Sequence, residues 1–198
     1  MTSQRNNRVA DDALLDAARD CVLSVGVRRT TLTDIAKRAG TSRMTVYRRF
    51  PGVTSVVAAL MTREFGELLD DVAAQATGNA RERLVHASVE ASRLLIADPL
   101  LTSVLDRDAE LLLPYLVHRV GSTQRLAEKF ITEQLTAGHA DGSIRIAPVA
   151  AQTRLFFLTV QALVVAHRPA GQDVTDDDLL AELATSLDHS LRPDGTRP

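Results

Sequence analysis

The chain has 198 residues, 45% of them hydrophobic and 24% charged, a globular balance with length enough for one or two domains and a sizeable core. Its first residues, MTSQRNNRVADD, lack the apolar stretch of a secretory signal, no run approaches the roughly 18 apolar residues of a membrane span, and the single Cys21 excludes an internal disulfide or a cysteine-built zinc site. The net charge of −2 hides an asymmetry: residues 1–50 carry ten Lys/Arg against five Asp/Glu, whereas the remainder carries 13 against 20. A cytoplasmic chain without membrane contact is therefore expected, one that meets a polyanion through its first quarter alone.

In chain order, nearly every periodic segment reads as helix. Leu14, Ala18, Cys21, Val22 and Val25 share one helical face, and Gly26 stops it. Cys21 on that stripe reads as a small core residue. Thr31 is a good N-cap with Asp34 in the reciprocal position, opening a short helix on which Leu32, Ile35, Ala36 and Ala39 repeat. Gly40 ends it, and Ser42 caps a third helix over 43–49, which Pro51-Gly52 breaks. Thr54 is expected to cap a long fourth helix bearing Val56, Val57, Leu60, Met61, Phe65, Leu68 and Val72, ended by Thr77-Gly78-Asn79. A helix over 81–97 stops at Asp98-Pro99, where the proline suits the first turn of the next, which runs to about Asp106. The stretch 108–137 is expected to be helical with Pro114 as a start or kink, and GHADGSIRIAP a loop. Residues 148–167 read as a helix apolar on almost every side, and Thr175 caps a last one with Leu179, Leu180, Leu183 and Leu187. The result is an all-α fold of about nine helices, with 1–53 forming a head and 54–198 a body.

Two short helices at a tight glycine turn, LTDIAKRAGTSRMTVYRRF, form a helix-turn-helix pattern. The second helix of such a unit enters the DNA major groove with its N-terminal residues toward base edges. Val46 and Phe50 pack inward, leaving Arg43 in the first turn to approach bases end-on. Arginine donates two bonds to guanine, and threonine or methionine touches a thymine methyl. Tyr47, Arg48 and Arg49 suit phosphates, as do the free N–H groups at the start of the preceding helix.

Residues 10–57 resemble the DNA-binding domain of TetR-type transcriptional regulators, on the strength of SVGVRRTTLTDIAKRAGTSRMTVYRRF. The resemblance implies base contacts from Arg43, Met44 and Thr45, and phosphate or sugar contacts from Thr31, Thr33, Tyr47 and Arg49. One position departs from the pattern: a lysine that usually opens the fourth helix is Val53 here. Arg28, Arg29, or Arg5 and Arg8 near the N-terminus are the candidate substitutes. Each phosphate left without its cation reduces the salt slope of binding by roughly 0.9.

A single helix-turn-helix reads few bases, so a two-fold pair on a near-palindromic operator is expected. The apolar helix at 148–167 needs burial on two sides, which a homodimer interface or a deep monomer core each supplies. In TetR-like proteins the last two helices pair with their copies, which implies an interface through Leu155, Phe156, Val160, Leu163, Leu179, Leu183 and Leu187. The family further implies a small-molecule pocket among helices 81–137 and 148–167. Polar candidates there are His86, Glu90, Arg93, His118, Arg119, Gln152 and Gln161, each of which also fits a surface or satisfied core position. The 4% aromatic content points to a lipophilic effector. Asp176, Asp177 and Asp178 oppose a helix dipole, the histidines have no paired metal spacing, and no cofactor is implied. No nucleophile–base pair or phosphate loop marks a helical enzyme. The expected function is a ligand-responsive repressor, with a constitutive DNA-binding dimer as the alternative.

Overall fold

The computed structural model describes residues 2–114, 121–167 and 174–193, with side chains from residue 11 onward. Among these are nine α-helices: α1 (Thr2–Val25), α2 (Leu32–Arg38), α3 (Arg43–Arg49), α4 (Val53–Gln75), α5 (Ala80–Ala97), α6 (Pro99–Arg107), α7 (Ser122–Asp141), α8 (Val149–Ala166) and α9 (Asp176–Leu191). A 3-10 turn, Ala109–Leu111, follows α6. No strand occurs among the described residues.

The chain forms two compact units, one of residues 1–65 with 98–122, the other of 66–97 with 123–198. These packing units cross the sequence boundary at 53, because the start of α4 and all of α6 pack with the head. The head core gathers Leu14, Ala18 and Val22 of α1, Ile35 and Ala36 of α2, Val46 of α3, Val56 and Leu60 of α4, and Leu100 and Val104 of α6. Val25, expected on the same stripe, is 38% exposed. It sits in the last turn, just before the chain bends away at Gly26, whose φ of +81° is one only glycine adopts without strain.

Helix ends follow local chemistry. The Thr31 hydroxyl accepts the Asp34 N–H at 3.1 Å, and Ser42 accepts the Thr45 N–H at the same distance. At the turn between them, Gly40 takes φ +63° while the Thr41 N–H closes back on the Ala36 carbonyl at 3.0 Å, a six-residue closure that satisfies the end of α2. The fourth helix begins two residues earlier than a Thr54 cap implies. Gly52 precedes it, with Ser55 bonded both to the Gly52 carbonyl and to its N–H, so Thr54 lies inside the helix and is not its cap. Asn79 and Glu82 exchange side-chain and backbone bonds at the start of α5, a reciprocal cap absent from the sequence expectations. Thr175 and Asp178 do the same for α9, and these bonds hold the Asp178 carboxyl below its ordinary pKa.

The stretch 108–137 is not one helix. Asp108 is 2% exposed and leaves the helical path to accept the Val27 N–H at 2.8 Å and the Arg28 N–H at 3.3 Å. Its carboxylate thereby fixes the turn between α1 and α2 from 80 residues away. Replacing Asp108 by Asn keeps the shape but puts an amide where an acceptor stood. The expected loss is about 1–3 kcal/mol, seen as a fall in thermal midpoint of roughly 2–4 °C per kcal/mol for a chain of this size.

Helix α7 begins at Ser122 and continues through Gly138 and His139, where the sequence predicts a loop. Gly138 is buried there, and a β-carbon on it would overlap the Ile144 side chain. The glycine thus serves close packing, and the turn falls at Gly142, with φ +74°. In the second unit α5 packs on α8 and α9. Their shared core contains Leu84, Ile131, Leu135, Ile144, Phe156, Phe157, Leu183, Leu187 and Leu191.

Candidate nucleic-acid interface

Helix α3 divides its residues cleanly by face. Val46 is fully buried, and Phe50 packs against the head core. Arg43, Tyr47 and Arg48 are exposed, and Met44 reaches 76% exposure. Thr45 is half-buried, its hydroxyl 2.9 Å from that of Ser42. Thr31 is exposed at the start of α2, and Thr33 is half-buried beside it.

Ion pairing sorts the cations of the head. Arg19 pairs with Glu64 at 3.0 Å and Arg38 with Asp20 at 3.2 Å. Arg49 pairs with Asp11 of α1 and retains 20% side-chain exposure. Arg28 pairs with Glu110 and lies 3.7 Å from Asp108. Two arginines expected on phosphates are therefore engaged with acids of their own chain. Arg49 acts here as a tie between α1 and α3. By contrast, Arg29, Lys37, Arg43 and Arg48 are exposed and make no ion pair among the described residues. Among the described side chains of residues 11–53, these four carry the positive charge that no internal acid meets. Exposure alone makes Arg29 and Lys37 hard to single out in a sequence rich in arginine. Val53 opens α4 half-buried and supplies no cation.

Elsewhere in the head, Arg63 of α4 contacts Asp12 and Asp16 of α1, and Arg19 reaches toward Asp98, the cap of α6, at 3.9 Å. Burial pushes the Glu64 carboxyl above its ordinary pKa, with the neighbouring Arg19 opposing the shift. The network ties α1 to the first half of α4 and to the start of α6.

Among the described residues, Glu90 and Arg93 are the pocket candidates that meet. His86 is exposed on α5. Glu90 lies 3.6 Å from Arg93, which pairs with Asp177 at 2.5 Å. Gln152 is buried but satisfied, bonded to His139 Nε2 at 2.8 Å and to the Arg145 carbonyl at 3.2 Å. Gln161 is half-buried on α8. His118 and Arg119 lie outside the described residues, and the side chains of Arg5 and Arg8 likewise. The groove found in the head runs along the start of α4, past Thr54, Ser55, Ala58, Thr62 and Arg63, and none of the candidates lines it. No cluster able to hold a metal occurs among the described residues.

The residues inferred for a two-fold interface differ in their exposure within the chain. Phe156, Leu183 and Leu187 are 4%, 5% and 3% exposed and belong to the core of the chain itself. Val160, Leu163 and Leu179 are half-buried, and the first two pack against that core. Leu155 is 68% exposed, with Leu158 also open on the outer face of α8.

Two short helices crossing at a glycine turn, the second presenting cations and an open methionine, define a helix-turn-helix DNA-binding protein. Residues 14–60 match the family described as bacterial regulatory proteins, tetR family. An uncharacterized HTH-type transcriptional regulator of Mycobacterium tuberculosis, Rv2250c, is 34% identical over 193 residues, covering 96% of this chain and 97% of its own. The chain belongs to the TetR family of transcriptional regulators. Among solved structures the fold is similar to FadR from Bacillus subtilis in complex with stearoyl-CoA, with a TM-score of 0.61, 22% identity, and coverage of 93% of this chain and 98% of that one. It is similar also to SmeT in a triclosan complex, with a TM-score of 0.63, 21% identity, and coverage of 96% and 95%.

Proposed function

We propose that the protein is a cytoplasmic homodimeric repressor that leaves a palindromic operator when a small lipophilic molecule binds its 54–198 region. The observation that carries the DNA part is the outer face of α3, where Arg43, Met44, Tyr47 and Arg48 stand open and the two arginines make no ion pair among the described residues. Arg43, Met44 and Thr45 read bases. Thr31, Thr33, Tyr47 and Arg48, joined by Arg29 and Lys37, hold phosphates. Support for a lipophilic effector comes from FadR, in complex with stearoyl-CoA and its long acyl chain, and from SmeT in complex with triclosan. Ligand release works as a population shift, in which the effector favours a state with the two reading helices at a different separation. A tenfold release needs a coupling of about 1.4 kcal/mol and a hundredfold release about 2.7.

The test is binding to the DNA that flanks the protein's own coding region, with thermal-shift screening of acyl-CoA thioesters and apolar phenols. A site bound at least about 10³-fold more tightly than bulk DNA is expected, along with a compound that raises the thermal midpoint and loosens that site. Tight operator binding with no stabilising compound across the set favours a constitutive dimer instead.

A further inference from the structure

Arg28 stands in the turn before α2, three residues ahead of the Thr31 cap, and its side chain is 66% exposed. It is one of the candidate substitutes for the cation that position 53 lacks, yet its charge is already met. One terminal nitrogen pairs with Glu110, and Nε lies 3.7 Å from Asp108 Oδ1. The two acids differ. Asp108 is buried and already accepts the N–H groups of Val27 and Arg28. Glu110 lies on the three-residue 3-10 turn, its side chain is 44% exposed, and Arg28 is its one ion-pair partner among the described residues. A carboxylate oxygen and a phosphate oxygen are equivalent acceptors for a guanidinium. Neighbouring Arg29, exposed and without an ion pair among the described residues, is the comparison within the same turn.

We infer that Glu110 is a phosphate competitor: it occupies Arg28 and withholds one backbone contact from each head, setting DNA affinity below what the head's cations permit. The inference rests on the DNA-facing reading of the head proposed above. It adds a determinant outside the helix-turn-helix, on the segment that follows α6. It also reassigns Arg28, which compensates for the valine at position 53 only when Glu110 lets it go. An exposed ion pair is weak enough for this to be tuned by one substitution.

The experiment measures anisotropy of a labelled random-sequence duplex between 50 and 200 mM KCl, with the full-length protein and the variants E110Q, R28Q and E110Q/R28Q. Thermal midpoints check that each is folded. Up to about fivefold tighter binding is expected from E110Q at the low-salt end, the equivalent of one surface ion pair. Its plot of log K against log salt should be steeper by about 0.9 for each head engaged. R28Q should change the parent less than about twofold, within the lower range for such a pair, yet abolish the whole gain in the E110Q background. An unchanged or shallower slope in E110Q overturns the inference, as does an R28Q loss equally large in both backgrounds. Failure of the unsubstituted protein to bind any duplex at 50 mM overturns the reading of the head itself, a result distinct from equal slopes.

Discussion

Arg43→Ala should cost about 1–3 kcal/mol per half-site on the preferred operator and relax base choice at one position in each half. The expectation follows from where the residue sits. Ser42 caps α3 through the Thr45 N–H, which fixes the first turn, and Arg43 is the first residue beyond the cap. It is exposed and has no ion pair among the described residues, so its guanidinium comes to a guanine without first leaving an internal acid. With two heads on one site the cost doubles, which makes this the largest single-residue effect expected at the DNA surface. Arg48→Ala is the contrast. Lying in the last turn of α3, it should weaken all sequences alike and lower the salt slope by about 0.9 per head. Selection from a random duplex library followed by salt titration separates the two. Should Arg43→Ala weaken random and selected duplexes equally, its role as a base reader is lost.

The parts of this molecule legible from sequence are those governed by residues close along the chain. Thr31 with Asp34, Ser42 with Thr45, Asp98 before Pro99, and Thr175 with Asp178 each cap a helix three or fewer residues away, and a local pattern states that chemistry in full. The glycine turn at Gly40 is similarly local. What escapes the sequence is set by distant partners. Arg49 meets Asp11 from 38 residues away, and Asp108 captures the 27–28 turn from 80 and 81. Spacing cannot reveal such pairs, so in sequence equivalent arginines look equally available. Gly138 reads as a turn because glycine serves two purposes, left-handed backbone and close approach, and the second needs Ile144 in place before it is visible. In the same way Leu183 and Leu187 are apolar enough for either an interface or a core. The packing of α5 and α8 around them gives them to the core.

That reassignment narrows where a second copy docks, and it sets the other large effect. Lysines at both Leu155 and Leu158 should turn the dimer into a monomer and lower operator affinity by about 10²–10⁴, the range that separates two linked sites from the same sites acting singly. Helix α8 has a mean hydropathy of 1.6 over Val149–Ala166, enough by length and composition to cross a membrane, yet only 28% of that window is buried within the chain. Its inner side is satisfied by Phe156 and Phe157, which enter the core. The outer side leaves Leu155 at 68% and Leu158 at 40% exposure, with Ala151 open alongside. A small residue beside two leucines lets a helix approach closely, and Ala181 and Thr185 are open on α9, the helix that the implied pairing brings to the same interface. Because Leu155 and Leu158 are open in the chain itself, lysine there should leave the monomer fold intact. Buried against a copy, however, two uncompensated ammonium groups per protomer are strongly unfavourable. Sedimentation velocity reports the assembly, the thermal midpoint reports the fold, and operator binding reports the consequence. A doubly substituted protein that still sediments as a dimer would place the two-fold contact on some other face.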